Sequence, residues 1–250
     1  MADYLYGINP ISEALQGTGR KPLELFLTRG EPGDRLEKLQ SLAKQQGLKT
    51  TFIERRELDR LVGHGRHQGV LLSLTPFSYV AFSDLIHDWR HSGEPAFFLI
   101  LDGVTDPHNF GAILRSAEVA GCRAVIVAKD RSCPVTAVVE KTAAGALSHL
   151  AVCQVTNLSR TLVELKAADV WCYGLAGDEG SQNLFTTDLR GNLALVIGSE
   201  GKGLRQNIRR HCDALLSIPM VGKLNSLNAS VAAGIALFEV VRQNSGRPVE

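Results

Sequence analysis

The stretch Ala96-Phe-Phe-Leu-Ile-Leu101 decides the fold class of this chain, because a continuous apolar run is typical of a parallel strand covered on both faces. Further apolar runs of strand length follow at residues 124–128, 170–175, 193–197 and 215–218. Segments with helical spacing separate these runs, at residues 110–120, 135–147, 158–168 and 204–211. This alternation predicts an α/β fold with a doubly wound parallel sheet.

A smaller α/β series precedes this one. The sequence predicts a polar helix that ends at Gly47, and strands at residues 25–28, 49–53 and 69–75. The helix begins at Asp34 and runs to Gln46. From residue 77 to residue 95 the periodicity weakens, and Ser92-Gly-Glu-Pro95 resembles the end of a linker. We therefore expect a small domain at residues 1–77, a linker at residues 78–95 and a larger domain at residues 96–250.

The composition excludes several classes of protein. The 250 residues carry a net charge of +1, so nucleic-acid binding would need local basic patches. No apolar run approaches the roughly 20 residues that cross a bilayer, and no secretory signal is visible, so we expect a cytoplasmic protein without a membrane partner. The five cysteines are widely spaced and odd in number, which favours reduced thiols and indicates neither a disulfide framework nor a metal site.

Three separated segments could carry chemistry. The first, Asn109-Phe-Gly-Ala-Ile-Leu-Arg115, is by itself typical of an Asn helix cap followed by a surface arginine. The second, Gly198-Ser-Glu-Gly-Lys-Gly203, follows an apolar strand, where open α/β sheets bind ligands, although a plain glycine-rich connection is the alternative. Its spacing disfavours a nicotinamide or ATP site. The third joins Ile218-Pro-Met220 to Asn225-Ser-Leu-Asn-Ala-Ser230, in which Ser226 and Asn228 are good helix N-caps.

In this order the three segments resemble the signature motifs of the SpoU/TrmH branch of the SPOUT superfamily, the RNA ribose 2′-O-methyltransferases. The likeness covers residues 96–243. Tyr6-Gly-Ile-Asn-Pro10 and His67-Gln-Gly69 are similar to the small substrate-binding domain of the RlmB-type 23S rRNA guanosine methyltransferases. The resemblance implies methyl transfer from S-adenosyl-L-methionine to a guanosine ribose of large-subunit rRNA, expected in the peptidyl-transferase P-loop region.

The resemblance also implies a fold, an assembly and a site. It implies a parallel-sheet SPOUT domain with a C-terminal trefoil knot, a small L30e-like N-terminal α/β domain, and a homodimer. The implied catalytic residues are Asn109, Arg115, Glu200, Ser226 and Asn228, and the implied cofactor-binding residues are Gly198, Ile218 and Leu227. We expect Arg115, supplied across the dimer interface, to stabilise the developing oxyanion, because a guanidinium gives up a proton very reluctantly. The identity of the general base stays open.

Two alternative functions remain at this point: the same reaction on tRNA, and a non-catalytic RNA-binding or ribosome-assembly protein. For RNA capture the sequence offers two basic clusters, Arg55, Arg56, Arg60 and Arg66 in the first domain, and Lys202, Arg205, Arg209 and Arg210 beside the glycine-rich segment. The last predicted helix, at residues 229–243, carries an apolar stripe that we expect to pack in the core or in a dimer interface: Val231, Ile235, Phe238 and Val241.

Overall fold

A computed structural model of the chain describes residues 3–16, 20–29, 33–62, 67–178 and 180–245. The chain divides into two compact units. The first comprises Met1–Ser78 and Val135–Lys141, and the second comprises Tyr79–Pro134 and Thr142–Glu250. Helices within the described ranges lack the combination of length and apolar character that a membrane span needs.

The first unit is built on four strands, β1 (Asp3–Tyr6), β2 (Pro22–Thr28), β3 (Lys49–Ile53) and β4 (Val70–Leu74). They form a mixed sheet in the order β1-β4-β2-β3, in which β2 and β3 are parallel and both pairs with β4 are antiparallel. The helices of this unit are α1 (Ile8–Gln16), α2 (Asp34–Gln45) and α3 (Arg55–Val62). The sequence predicts β2, β3, β4 and α2 but misses β1, α1 and α3, because such short segments show too little of a period.

The second unit contains seven strands. They are β5 (Phe97–Asp102), β6 (Ala124–Ala128), β7 (Ala151–Val155), β8 (Trp171–Leu175), β9 (Gln182–Asn183), β10 (Leu193–Gly198) and β11 (Ala214–Ser217). The strand order is β7-β6-β5-β10-β8-β11-β9, and every pair is parallel, which confirms the predicted parallel sheet. The sequence misses the two edge strands, β7 and β9. An edge strand needs no continuous apolar run, and β9 has only two residues, both exposed.

Helices flank this sheet. They are α4 (Phe82–Ser92), α5 (Pro107–Val119), α7 (Leu158–Lys166), α8 (Gln206–Arg209) and α9 (Ala229–Asn244), with a 3₁₀ turn at Ala146–Ser148, whereas most of α6 (Ala137–Ala143) belongs to the first unit. The core of the second unit is formed by strand residues such as Phe98, Ile126 and Val196 and by helix residues such as Leu162 and Ile208, all of which are buried. The strands β5, β6 and β10 are buried along almost their whole length, which is the two-sided cover that their apolar runs predict.

The structure differs from the sequence prediction at residues 78–95, where a linker was expected. This range contains the eleven-residue helix α4, which belongs to the second unit. Its Leu85 and Trp89 are buried in the core, and the Trp89 ring meets the Phe98 ring edge-on at a centroid distance of 5.7 Å. The prediction was wrong because polar residues fill most positions between the few apolar ones, so the helical period is hidden in the sequence.

Two predicted helix caps have different outcomes. Asn109 does not cap α5, because the helix begins at Pro107 and Asp106 accepts a hydrogen bond from the His108 backbone N–H at 3.1 Å. Proline suits the first helical position, so the helix starts there and Asn109 lies in its first turn. Asn228 does cap α9, since its Oδ1 accepts from the backbone N–H groups of Ser230 and Val231 at 2.9 and 3.3 Å.

Helix α9 buries a different face from the predicted one. Its buried residues include Ala233, Ala236 and Leu237, whereas Val231 and Phe238 of the predicted stripe remain 49% and 47% exposed. Packing in the core is therefore wrong for Val231 and Phe238, while packing of the stripe in a dimer interface stays a prediction. The small side chains on the buried face let α9 approach α5 closely, which leaves the larger apolar residues on the outside.

Candidate functional site

The three sequence motifs converge at the carboxyl ends of β5 and β10, the edge where parallel sheets bind ligands. These strands are neighbours, and Gly198 at the end of β10 pairs in register with Asp102 at the end of β5. The loops that follow them also lie side by side, since a Cβ atom on Gly103 would come within 3.6 Å of the Ser199 Cβ.

The glycine-rich segment forms a tight loop with Glu200 near its tip. Ser199 and Gly203 exchange two backbone hydrogen bonds, with N···O distances of 3.2 and 2.9 Å. Gly203 has a φ of +62°, which side-chain-bearing residues rarely adopt. At the base of the loop a Cβ on Gly198 would lie 2.2 Å from the Gly203 carbonyl carbon. Glycine at position 198 is therefore required by the close approach of the loop backbone.

Asn109, Glu200 and Asn228 form one hydrogen-bonded cluster. Glu200 Oε1 accepts from Asn109 Nδ2 at 2.8 Å and also from Asn228 Nδ2. Asn228 Nδ2 donates in addition to Asn109 Oδ1 at 3.0 Å. Because the Oδ1 of Asn228 is held by the start of α9, its Nδ2 must face the other two residues. Each motif thus contributes one side chain to a single exposed cluster of amides and a carboxylate.

The other predicted site residues lie outside this cluster. Arg115 is exposed on α5 and makes no hydrogen bond or ion pair with the described part of the chain. Ser226 is exposed in the segment before α9 and likewise contacts none of the three clustered side chains through a hydrogen bond. Gly198 is buried, Ile218 is half-buried after β11, and Leu227 is 39% exposed next to Asn228.

The segment from residue 220 to residue 227 connects β11 to α9 without regular structure. Within the described ranges, its backbone N–H groups donate no hydrogen bond to other backbone groups. It also exposes apolar side chains, among them Met220 and Leu227. Free amide donors beside apolar surface are suited to a ligand that has both a flat apolar ring and polar edges.

Sequence reasoning missed one ionisable pair at this edge. The Asp102 side chain is fully buried, and its Oδ1 accepts from Arg205 Nε at 2.6 Å while its Oδ2 accepts from the Arg205 backbone N–H at 2.8 Å. A charged residue at the end of an otherwise apolar strand was the signal that could have revealed it, because a buried charge needs a partner. Arg205 was instead assigned to RNA capture.

In the basic cluster beside the glycine-rich loop, two residues form ion pairs and two do not within the described part of the chain. Arg205 binds Asp102 and Arg209 binds Asp178, whereas Lys202 and Arg210 are exposed and form no ion pair within the described residues. In the first unit, the predicted cluster residues Arg55, Arg56 and Arg60 are exposed on or beside α3, and Arg66 lies outside the described residues.

The cysteines do not offer a nucleophile. All five thiols are free, and burial raises the pKa of Cys153 to about 11 and those of Cys172 and Cys212 to about 12. Burial favours the protonated thiol over the thiolate, which is the nucleophile. Among the described residues, no group of three or more His, Cys, Asp or Glu side chains could hold a metal ion.

Comparison with known families agrees with this arrangement. The model of the SpoU rRNA methylase family matches residues 96–238, more than half of the chain and all three motifs. The chain belongs to the SpoU rRNA methylase family. A second model, described as RNA 2′-O ribose methyltransferase substrate binding, matches residues 4–80. The family predicted from the motifs is thereby confirmed.

Relatives of known name match nearly the whole chain. The 23S rRNA (guanosine-2′-O-)-methyltransferase RlmB of Escherichia coli strain K12 is 43% identical over 245 residues, which cover 98% of this chain and 100% of the relative. The protein of the same name from Xanthomonas campestris pv. campestris is 42% identical over 243 residues, 97% of each chain.

Solved structures share the fold. The SpoU methyltransferase AviRb from Streptomyces viridochromogenes, in complex with the cofactor AdoMet, has a TM-score of 0.72 and 24% identity, covering 99% of this chain and 92% of that one. An AdoMet-bound rRNA methyltransferase from Sinorhizobium meliloti has a TM-score of 0.69 and 23% identity, covering 96% of this chain and 87% of that one.

Proposed function

We propose that this family member transfers a methyl group from S-adenosyl-L-methionine to the ribose 2′-oxygen of a guanosine in 23S rRNA. The observation that carries the proposal is the cluster of Asn109, Glu200 and Asn228 at the carboxyl ends of the strands. Relatives that are 42–43% identical over nearly the full chain carry this activity in their names, which supports the reaction and the substrate.

The residues around this cluster fit the cofactor. Ile218 and Leu227 offer apolar surface, and the free backbone N–H groups between them offer donors for polar edges of an adenosyl group. Gly198, at the end of β10, is proposed to line the cofactor pocket through its backbone atoms. When bound, the cofactor supplies an already activated methyl group, so the protein needs to contribute little covalent chemistry.

The task left to the protein is to hold and deprotonate a sugar hydroxyl. Asn109, Ser226 and Asn228 supply amide and hydroxyl groups that orient the ribose. Glu200 Oε1 holds both amides, leaving its other oxygen available to position a cation or a hydroxyl. We assign Arg115 to stabilise the developing oxyanion and to anchor phosphate, since its charge is permanent and unpaired within the described chain. No residue is assigned as the base.

A homodimer accounts for two features. Arg115 is exposed on α5, and α9, which packs against α5, exposes Val231 and Phe238. A second copy seated on these helices would cover the apolar residues and would bring its own Arg115 toward this site. The dimer and the exchange of Arg115 are therefore parts of one proposal.

We propose that the chain forms a trefoil knot near its carboxyl end, on the basis of the path that it takes from β8 to α9. Strand β10 lies between β5 and β8, and β11 lies on the far side of β8. The chain then returns, with the Asn225 carbonyl oxygen 3.9 Å from the position of a Cβ on Gly177, and reaches the β10 loop at Asn228. We propose that this return passes through the loop formed after β8.

The first unit is proposed as the RNA-binding domain, at residues 1–77, with an L30e-like fold. Its match to a substrate-binding model supports this role, as do the exposed arginines Arg55, Arg56 and Arg60. These side chains can contact phosphates, which would make RNA binding sensitive to salt. A cytoplasmic location accords with an rRNA substrate.

Transfer of labelled methyl groups tests the proposal. The purified protein is incubated with methyl-labelled S-adenosylmethionine and 23S rRNA made without modifications, and labelled nucleosides are identified after digestion. We expect label in a guanosine 2′-O-methyl group, and far less of it with the Arg115→Ala variant. Label in a base, or in tRNA but not in 23S rRNA, would contradict the proposal. RNA binding without any transfer would favour the non-catalytic alternative.

A further inference from the structure

Asp102 is an unusual residue for its place in the fold. It ends β5, in which the other residues are apolar, and its side chain has no exposed surface. A buried carboxylate is strongly disfavoured unless partners replace the water that it loses. Arg205 supplies those partners through its backbone N–H and its Nε.

Both oxygens of Asp102 are committed to one residue. Arg205 offers its backbone N–H to Oδ2 and its Nε to Oδ1. The carboxylate therefore fixes the main chain of Arg205 as well as the direction of its side chain. The Arg205 side chain itself remains 38% exposed.

Arg205 stands where the chain leaves the glycine-rich loop. The loop enters from β10 at Gly198 and closes with the pair between Ser199 and Gly203. Leu204 and Arg205 follow, and the backbone at Gly203 and Leu204 presses directly against Gly198. Since Gly198 pairs in register with Asp102, the carboxylate at the end of β5 holds the exit of the loop beside the end of β10, where the loop begins.

The geometry points to Asp102 and Arg205 as a positioning pair that holds the loop so that Glu200 can meet Asn109 and Asn228. Asp102 touches none of these three side chains through a hydrogen bond, so it acts through the loop and not on the substrate. This inference rests on the proposed function of the cluster. It adds two residues, neither of which the motifs identified as part of the site.

A second carboxylate in the same unit provides a matched control. Asp213 accepts from the Cys172 backbone N–H at 2.8 Å and from Lys166 Nζ at 2.7 Å, so it too binds one main-chain donor and one cation. Its side chain is 19% exposed. It lies at the amino end of β11, opposite the strand ends that carry the cluster. Asp213→Asn therefore weakens a similar pair without touching the loop.

The kinetic test is a double-mutant cycle between Asp102→Asn and Glu200→Gln, measured on 23S rRNA below the unfolding temperature of every variant. The asparagine keeps the shape of Asp102 but places an amide donor against a donor of Arg205. In the wild-type background, we expect Asp102→Asn to lower kcat about 100-fold. In the Glu200→Gln background it should change kcat by no more than about twofold, because the carboxylate that the loop positions is then absent. KM for RNA should change little, and Asp213→Asn should keep wild-type kcat.

Equal losses in both backgrounds would overturn the inference, as would a wild-type kcat for Asp102→Asn or a matching loss for Asp213→Asn. Amide hydrogen exchange provides a readout that needs no RNA. Exchange at Gly203 and Arg205 should accelerate about tenfold in Asp102→Asn and stay unchanged in Asp213→Asn. Unchanged exchange in both variants would reject the clamp. If wild-type protein fails to methylate 23S rRNA, the proposed function is wrong, while the exchange result still decides whether Asp102 holds the loop.

Discussion

Asn228 has two separable roles, and substitutions can divide them. Its Oδ1 caps α9, and its Nδ2 donates to Glu200 and Asn109. Serine keeps a capping oxygen but has no amide to donate, whereas alanine has neither. We expect Asn228→Ser and Asn228→Ala to lose methyl transfer to the same degree, and to differ in the free energy of unfolding.

The magnitudes follow from the two sets of hydrogen bonds. Loss of an N-cap costs about 1 kcal/mol, and only Asn228→Ala loses it. Both variants lose the Nδ2 donations, which contribute roughly 0.5 kcal/mol each for an exposed side chain. The free energy of unfolding should therefore fall by about 1 kcal/mol in Asn228→Ser and by about 2 kcal/mol in Asn228→Ala. Transfer should fall about 100-fold in both, because the ribose is no longer aligned.

Urea unfolding and transfer rates on 23S rRNA measure the two roles. Asn157 provides a control, since it caps α7 by accepting from the Arg160 backbone N–H at 3.1 Å and belongs to none of the motifs. Asn157→Ala should lose the same cap energy and retain wild-type transfer. The reasoning fails if Asn228→Ser and Asn228→Ala are equally stable, or if Asn228→Ser transfers methyl groups at the wild-type rate.

Four further outcomes are expected. Arg115→Ala should reduce transfer by about 10²–10³-fold while calorimetry finds unchanged cofactor affinity; equal losses of both would mean a structural role. Gly198→Ala should lower the free energy of unfolding by roughly 1–3 kcal/mol, because its Cβ meets backbone; an unchanged urea midpoint would contradict this. Arg210→Gln should reduce the slope of log affinity against log salt by about 1, and an unaltered slope would remove this residue from the RNA interface. Burial raises the pKa of the Cys172 thiol to about 12, so this thiol keeps its proton at pH values where the thiol of the unfolded chain loses it. The free energy of unfolding should therefore fall above about pH 9, and a rise in the urea midpoint there would refute this.

The sequence predicts the central strands of the second unit but not its edge strands or helix α4. The apolar runs predict β5, β6, β8, β10 and β11, and of these β5, β6 and β10 are buried almost throughout, as strands covered on both faces are. The edge strands β7 and β9 and helix α4 were not predicted, because partly exposed elements tolerate polar residues that hide the apolar period. The order of strands, with β10 inserted between β5 and β8, depends on contacts between distant segments that no local period records.

The candidate site came from the resemblance of the three motifs, since each motif alone is typical of an ordinary helix cap or turn. The resemblance of the motifs selected Asn109, Glu200 and Asn228, and the structure brings them together. Local pattern misled at Asn109, which is a good capping residue but stands after Pro107 and Asp106. Asp102 was missed because its role follows from burial and from a partner a hundred residues away, which the sequence does not reveal.

The hydrogen bonds that join residue 228 to residues 109 and 200 have a consequence for biosynthesis. A ribosome releases the chain from its amino end, so Asn109 and Glu200 emerge and can fold around their strands before Asn228 exists. The chain therefore becomes able to catalyse methyl transfer late in translation, when α9 packs against α5 and its N-cap Asn228 contacts Asn109 and Glu200. Given the RNA-binding role proposed for the first unit, nascent or clipped chains that stop short of Asn228 should bind RNA and be unable to methylate it.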